Sequence, residues 1–161
     1  MSVLVLGIGN SIMSDDGIGI RVIQNLVDCY RIPAEVTVLE GGTLGLNLLP
    51  DVQGAETLLV VDAIETGGPP GTLMRLEGDE LPLCFENRIS PHEMGLKDLL
   101  TVAALMGDAP KEVVLWGIQP ERLDVGEELS PSVAARLSEL TGKVVDELRR
   151  QGIALTTRSS E

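Results

Sequence analysis

Short, continuous runs of apolar residues alternate along the chain with longer amphipathic segments. Residues 3–6 are all apolar and partly β-branched, which is typical of a strand that is buried on both faces of a parallel sheet. Similar runs at 36–39, 57–61, 72–76 and 113–116 predict further strands. The pattern therefore predicts a sheet of five strands.

Helical spacing of apolar residues fills the intervals between these runs. Helices are predicted over 17–30, 44–49 and 91–106, and a last helix has Ser130 as its N-cap and Pro131 in its first turn. The inward faces are predicted to be Ile23, Leu26, Val27 and Tyr30 in the first helix, Leu96, Leu99, Leu100 and Ala103 in the third, and Val133, Leu137, Leu140, Val144 and Leu148 in the last.

Strands that alternate with helices indicate an α/β sandwich with a largely parallel sheet. The chain of 161 residues fits one domain with a single core, which we assign to residues 1–154. Residues 78–90 show no period, and residues 155–161 are predicted to form a frayed polar tail.

Composition narrows the classes of function. Aromatic residues are only 2% and the formal net charge is −13, which disfavours binding to nucleic acid or to an anionic membrane. No segment reaches the roughly 20 apolar residues of a membrane-spanning helix, and the N-terminal apolar run is too short for a signal peptide. The two cysteines, Cys29 and Cys84, match no zinc pattern. Cys29 is expected to be a core thiol, and we expect a monomer in the reducing cytoplasm.

A glycine-rich loop follows the first predicted strand, from Gly7 to Gly19. A dinucleotide fingerprint would need a third glycine at position 12, where this chain has Ile12. The consecutive acids Asp15 and Asp16 also lie where a phosphate group needs the positive start of a helix. A dinucleotide site is therefore disfavoured. Either aspartate could instead cap the following helix, which leaves the other to point elsewhere.

Two further candidates stand at the ends of predicted elements. Asp62 follows the 57–61 strand, at the carboxyl edge where open α/β sheets place ligands; the structural alternative is a turn aspartate. His92 is the only histidine, and it lies in a capping-box pattern over 90–93. A helix start disfavours an imidazolium, and a metal needs the neutral imidazole; the alternative is a surface histidine.

Asp16, Asp62 and His92 could meet at one edge of the predicted sheet. One imidazole and two carboxylates form a nitrogen–oxygen site for a borderline divalent ion such as nickel or zinc. Serine-triad chemistry through His92 stays open, although no serine has the context of a nucleophile elbow. The residues alone therefore indicate an α/β protein with a metal site.

Five blocks along nearly the whole chain resemble the hydrogenase maturation endopeptidases, which process the large subunits of nickel–iron hydrogenases. The blocks are Gly7-Ile8-Gly9-Asn10 running into Asp15-Asp16-Gly17-Ile18-Gly19, then Gly41-Gly42-Thr43-Leu44-Gly45, Val61-Asp62-Ala63, Ser90-Pro91-His92-Glu93-Met94-Gly95-Leu96 and Gly117-Ile118-Gln119-Pro120-Glu121. The resemblance implies a three-layer α/β/α sandwich, phosphorylase/hydrolase-like, around a five-stranded and mostly parallel sheet. The 72–76 strand should be the antiparallel one, because its loop is too short for a crossover helix.

The resemblance also assigns roles to residues. The family's metal-binding positions carry over to Asp16, Asp62 and His92, with Glu common in the family at the first of these and Asp common where this chain has Glu40. The implied activity is one peptide cleavage near the C-terminus of the large-subunit precursor, after nickel insertion. The expected partner is that precursor, and the expected nickel is borne by the substrate. Two alternatives are a non-catalytic nickel-sensing checkpoint or metallochaperone-like module, and a stand-alone metallopeptidase with its own ion.

Overall fold

The computed structural model describes residues 2–42, 46–81 and 92–158, without the side chains of 46 and 92–94. The predictions for Cys84 and for the capping box at 90–93 therefore fall outside the described residues, apart from the backbone of 92–93. The predicted helix over 44–49 is described only in part, as a 3-10 turn at Leu46–Leu48 followed by a helix at Leu49–Gln53.

The described strands and helices alternate as the apolar pattern predicts. The strands are β1 (Val3–Ile8), β2 (Tyr30–Arg31), β3 (Val36–Gly42), β4 (Thr57–Ala63), β5 (Leu73–Glu77), β6 (Glu112–Ile118) and β7 (Thr156–Thr157). The helices are α1 (Ile18–Cys29), α2 (Leu49–Gln53), α3 (His92–Leu105), α4 (Pro131–Ala134) and α5 (Leu137–Arg150).

Five strands form the main sheet in the order β3-β1-β4-β6-β5, so β4 lies at its centre. The pairs β1–β3, β1–β4 and β4–β6 are parallel. β5 pairs antiparallel with β6, with Leu73 opposite Ile118. The prediction that the 72–76 strand is the antiparallel one is confirmed, since it corresponds to β5.

Helices cover both faces of the sheet, which explains the continuous apolar runs. Val3 and Val5 face a cluster built with α1, α4 and α5, whereas Leu4 and Leu6 face a cluster built with α2 and α3. Because successive side chains of a strand point to opposite faces, every residue of such a run must be apolar. The three-layer α/β/α prediction is confirmed.

The prediction of one continuous last helix is wrong. It is divided into α4 and α5, because Arg136 bonds back to Val133 in a tight i−3 turn before the regular pattern resumes. The apolar stripe runs through this break and cannot reveal it. The predicted start is confirmed in position, since Ser130 is the N-cap residue of α4 and Pro131 lies in its first turn, although the Ser130 side chain makes no capping hydrogen bond.

Three other predictions about burial and order also fail. Val27 and Cys29 are exposed, because they lie in the last turn of α1 beyond the buried residue Leu26. Residues 156–157 are not frayed, since β7 pairs antiparallel with β2. This pairing joins backbone groups, which carry no apolar signal in the sequence.

An ion pair with a buried carboxylate joins the antiparallel strand β5 to α5. Arg75 Nε donates to Glu147 Oε1 at 2.5 Å and Arg75 Nη2 to Oε2 at 3.2 Å, and Trp116 Nε1 donates to Oε1 at 3.1 Å. Burial opposes the ionised form of Glu147, but the hydrogen bonds from Arg75 and Trp116 prevail and lower the pKa of Glu147. The hydrogen bond to Glu147 correspondingly raises the pKa of Arg75.

Across the described ranges, every helix is too short or too polar to cross a membrane.

Candidate active site

Asp62 is a buried carboxylate on the central strand. It is the last residue but one of β4, and only 1% of it is exposed. Its Oδ1 accepts a hydrogen bond from the backbone N–H of Ala63 at 2.8 Å. Along β4 it follows Leu58 and Val60 on the face that α3 covers. The strand thus places an acidic side chain at the carboxyl edge of the sheet.

Asp16 is placed at the same edge by the neighbouring strand. It lies in the 3-10 turn Ser14–Gly17 between β1 and α1, it is 6% exposed, and the turn packs against β4. Its Oδ2 accepts a hydrogen bond from the backbone N–H of Asn10 at 3.1 Å. Because β1 and β4 are parallel neighbours, Asp16 and Asp62 follow adjacent strands at one edge.

The carboxylate of Asp15 is hydrogen-bonded to the loop after β6 and to the residue before α4. Its Oδ2 accepts from the backbone N–H groups of Glu121 and Arg122, each at 2.9 Å, and from Ser130 Oγ at 2.7 Å. Its Oδ1 accepts from the backbone N–H of Ser130 at 2.7 Å. The prediction that Asp15 or Asp16 caps α1 is wrong, since Gly17 holds the N-cap position without a side-chain hydrogen bond.

The glycines of the first loop allow the backbone to pack closely around Asp16. A Cβ at Gly9, whose φ is +142°, would lie 1.9 Å from the backbone oxygen of Asp16. A Cβ at Gly19 would lie 2.5 Å from the backbone oxygen of Val61. The spacing that resembles a phosphate-binding loop therefore serves contacts within the chain, which bring the turn at Asp16 against β4.

The third predicted residue, His92, is the first residue of α3. This helix contacts the face of the sheet that contains Leu58, Val60 and, by alternation, Asp62. It ends before β6, whose first residue, Glu112, pairs with Thr57 at the opposite edge. The start of α3 therefore belongs to the same edge as Asp62. The side chain of His92 is outside the described residues.

The described side chains contain no group of three or more His, Cys, Asp or Glu residues that could hold a metal ion. The structure thus places Asp16 and Asp62, two of the three predicted ligands, at one edge, and the start of α3 at His92 belongs to the same edge. Two carboxylates and an imidazole suit a nickel or zinc ion.

Comparison with known proteins decides the family. The family model described as "Hydrogenase maturation protease" matches residues 20–147, a range that contains Asp62 and His92 and begins after Asp16. The chain belongs to the hydrogenase maturation protease family. It is therefore an endopeptidase of hydrogenase maturation, and this membership favours the peptidase over a non-catalytic module.

Relatives and solved structures match over nearly the full chain. The "Hydrogenase 2 maturation protease" of Escherichia coli is 38% identical, over 99% of this chain and 98% of its own. "Hydrogenase expression/formation protein HupD" of Rhodobacter capsulatus is 41% identical, over 96% of this chain and 74% of its own. The structure of the "hydrogenase maturating endopeptidase HybD" from E. coli covers 100% of both chains, with a TM-score of 0.94 and 38% identity.

In this maturation protease, Gln119 supports the same edge of the sheet, although the sequence indicated it only as part of the family resemblance. Gln119 follows β6 and is 8% exposed. Its Oε1 accepts from the backbone N–H of Thr66 at 2.7 Å and from the Thr66 hydroxyl at 3.0 Å, and its Nε2 donates to Glu65 at 3.2 Å. Gln119 thereby holds the loop that follows Asp62. Its position as a long polar residue directly after a buried strand could have indicated this role from the sequence.

Proposed function

We propose that this protease removes the C-terminal extension of a nickel–iron hydrogenase large-subunit precursor after nickel has been inserted. The observation that carries the proposal is the pair of nearly buried carboxylates, Asp16 and Asp62, at the same edge of two adjacent parallel strands. His92, at the start of α3 on the face that contains Asp62, is the third member of the site.

In this proposal the nickel is part of the substrate. Asp16, Asp62 and His92 contact an ion that the precursor already holds, so they recognise the loaded subunit. A divalent ion polarises a nearby carbonyl and lowers the barrier to attack by water. Nickel takes imidazole and carboxylate ligands readily. The burial of both aspartates limits competing water and strengthens their attraction to the cation.

The names of the relatives support a proteolytic step of this kind. The E. coli protein is a hydrogenase maturating endopeptidase, and its structure and this one match over 100% of both chains. Hydrolysis within a single protein substrate fits a small site formed by a few side chains at one edge. The precursor, rather than general peptides, is therefore the proposed substrate.

The test uses purified protein and purified precursor, with nickel-loaded and nickel-free precursor in parallel. Mass spectrometry should find loss of the C-terminal peptide only from the loaded precursor. His92→Ala should abolish this loss while circular dichroism shows an unchanged fold. Normal processing by His92→Ala would contradict the site, and efficient cleavage of nickel-free precursor would contradict the recognition of nickel.

A further inference from the structure

Two loops beside the candidate site place apolar side chains in solvent. Ile12, in the loop after β1, is 53% exposed, and Val125 and Leu123, in the loop after β6, are 78% and 37% exposed. Single exposed apolar residues are common on protein surfaces. These three differ because their two loops are joined. We call Ile12, Leu123 and Val125 the loop patch.

The backbone makes Ile12 and Val125 neighbours. Met13 and Gly126 form an isolated parallel β-bridge, so the residues directly before them, Ile12 and Val125, are in register. Gly126 N–H donates to the oxygen of Ile12 at 2.8 Å, and Ser14 N–H donates to the oxygen of Gly126 at 2.8 Å. Two exposed apolar side chains therefore stand side by side.

The loops that carry the patch are fixed by buried bonds. Asp15 binds the backbone N–H groups of Glu121 and Arg122, at the start of the second loop, and both donors of Ser130 at its end. The Ser14 hydroxyl donates to the oxygen of Asp124 at 2.8 Å. A rigid, exposed apolar surface gains more on binding than a mobile one, because less conformational entropy is lost.

We propose that the loop patch is the docking surface for the body of the large-subunit precursor, next to the segment that is cut. This proposal rests on the proposed function. Ile12 is in the same loop as Asp16, so a protein that covers the patch also covers the edge at which Asp16 and Asp62 lie. An endopeptidase with a single protein substrate has a reason to bind that substrate beyond the cleaved bond.

The charges around the patch specify the chemistry of the partner. The second loop contains a single cation, Arg122, and four exposed acids, which are Glu121, Asp124, Glu127 and Glu128. The complementary surface is therefore apolar at its centre and basic at its rim. Since such rim charges are screened by salt, precursor binding should weaken as salt rises.

The test compares Val125→Ser and Ile12→Ser with a matched control, Leu105→Ser. Leu105 is 83% exposed but lies at the end of α3, at the opposite edge of the sheet. With loaded precursor, each patch variant should raise KM by about tenfold and leave kcat unchanged, whereas the control should change neither. Thermal unfolding should be the same for all three variants.

Other outcomes separate the hypotheses. An unchanged KM in the patch variants, an equal rise in Leu105→Ser, or a fall in kcat alone would overturn the docking surface while leaving the protease function intact. A patch variant that splits a wild-type dimer in sedimentation with KM unchanged would assign the patch to self-association instead. If the wild-type protein cuts no precursor, the proposed function fails, and the Kd of each variant for the precursor decides the docking surface.

Discussion

Asp15 and Ser130 are 115 residues apart in the chain and are joined by two hydrogen bonds of 2.7 Å. They connect the turn before α1 to the residue before α4. The carboxylate that the sequence offered as a helix cap is thus a clasp between the loops on either side of the candidate site. Its neighbour, Asp16, is held in the turn that this clasp fixes.

The clasp predicts a large loss of stability on substitution. Asp15→Ala leaves four hydrogen-bond donors without their acceptor, and the two donors of Ser130 are fully buried. We expect the free energy of unfolding to fall by about 3–5 kcal/mol, measured by urea denaturation. Asp28→Ala, at an exposed position on α1, is the control and should change it by less than about 0.5 kcal/mol. Equal values for both variants would contradict the clasp.

Substitution of the two candidate site aspartates should reduce processing and leave stability almost unchanged. Asp16→Asn and Asp62→Asn keep the size of the side chain and a carbonyl oxygen for the hydrogen bonds from Asn10 and Ala63. We expect precursor processing to fall at least about a hundredfold, since the charge toward the metal is lost. Stability should change by no more than about 1 kcal/mol. Asp28→Asn is the matched control, and a processing rate near that of the wild type in either site variant would exclude that residue.

The close packing around Asp16 gives a third prediction. Gly9→Ala places a Cβ 1.9 Å from the backbone oxygen of Asp16, at a residue with φ of +142°. The turn must shift, so we expect a loss of about 2–4 kcal/mol in stability together with a loss of processing. Gly142→Ala is the control, because Gly142 lies inside α5 with nothing within 4 Å of its added Cβ.

The two alanine variants should therefore change the stability in opposite directions. Gly142→Ala should raise stability by about 0.5–1 kcal/mol through helix propensity and leave processing unchanged. Thermal and urea unfolding measure the change in stability of each variant, and mass spectrometry of the precursor measures processing. A stable and active Gly9→Ala variant would mean that the loop can accept a side chain.

The Arg75–Glu147 pair predicts a dependence of stability on pH. The pKa of Glu147 is lowered in the folded protein, so its stabilisation is present above the unfolded value of about 4.3 and is lost as pH falls through the folded value. Arg75 adds no second transition below pH 12, because its pKa is raised. Glu147→Gln should cost about 3 kcal/mol at pH 7, where it leaves Arg75 without its carboxylate.

The measurement is urea unfolding of the wild-type protein and Glu147→Gln at pH 7 and near pH 3. The difference between them should shrink at the lower pH, because the unfolded chain binds a proton at Glu147 at a higher pH than the folded protein does. Glu139→Gln removes the exposed pair with Arg136 and should cost less than about 1 kcal/mol at either pH. A difference independent of pH would show that the charge of Glu147 does not contribute.

The sequence by itself determined the sheet and its layers. Continuous apolar runs can only be satisfied when both faces of a strand are covered, so the pattern at 3–6 and 57–61 implied the sandwich and placed Asp62 at its carboxyl edge. The short loop before 72–76 implied an antiparallel strand, because a parallel neighbour needs a longer crossover. These features depend on residues that are close together in the chain, so the pattern of apolar residues and the loop lengths are enough to predict them.

Only the tertiary structure revealed the separate role of Asp15. Both are acids directly before a helix, and by local pattern either of them could cap it. The partners of Asp15 come from Glu121, Arg122 and Ser130, more than a hundred residues away, and no local pattern encodes such contacts. The pairing of β7 with β2 and the apposition of Ile12 and Val125 escaped the sequence for the same reason, since they join backbone groups of distant segments.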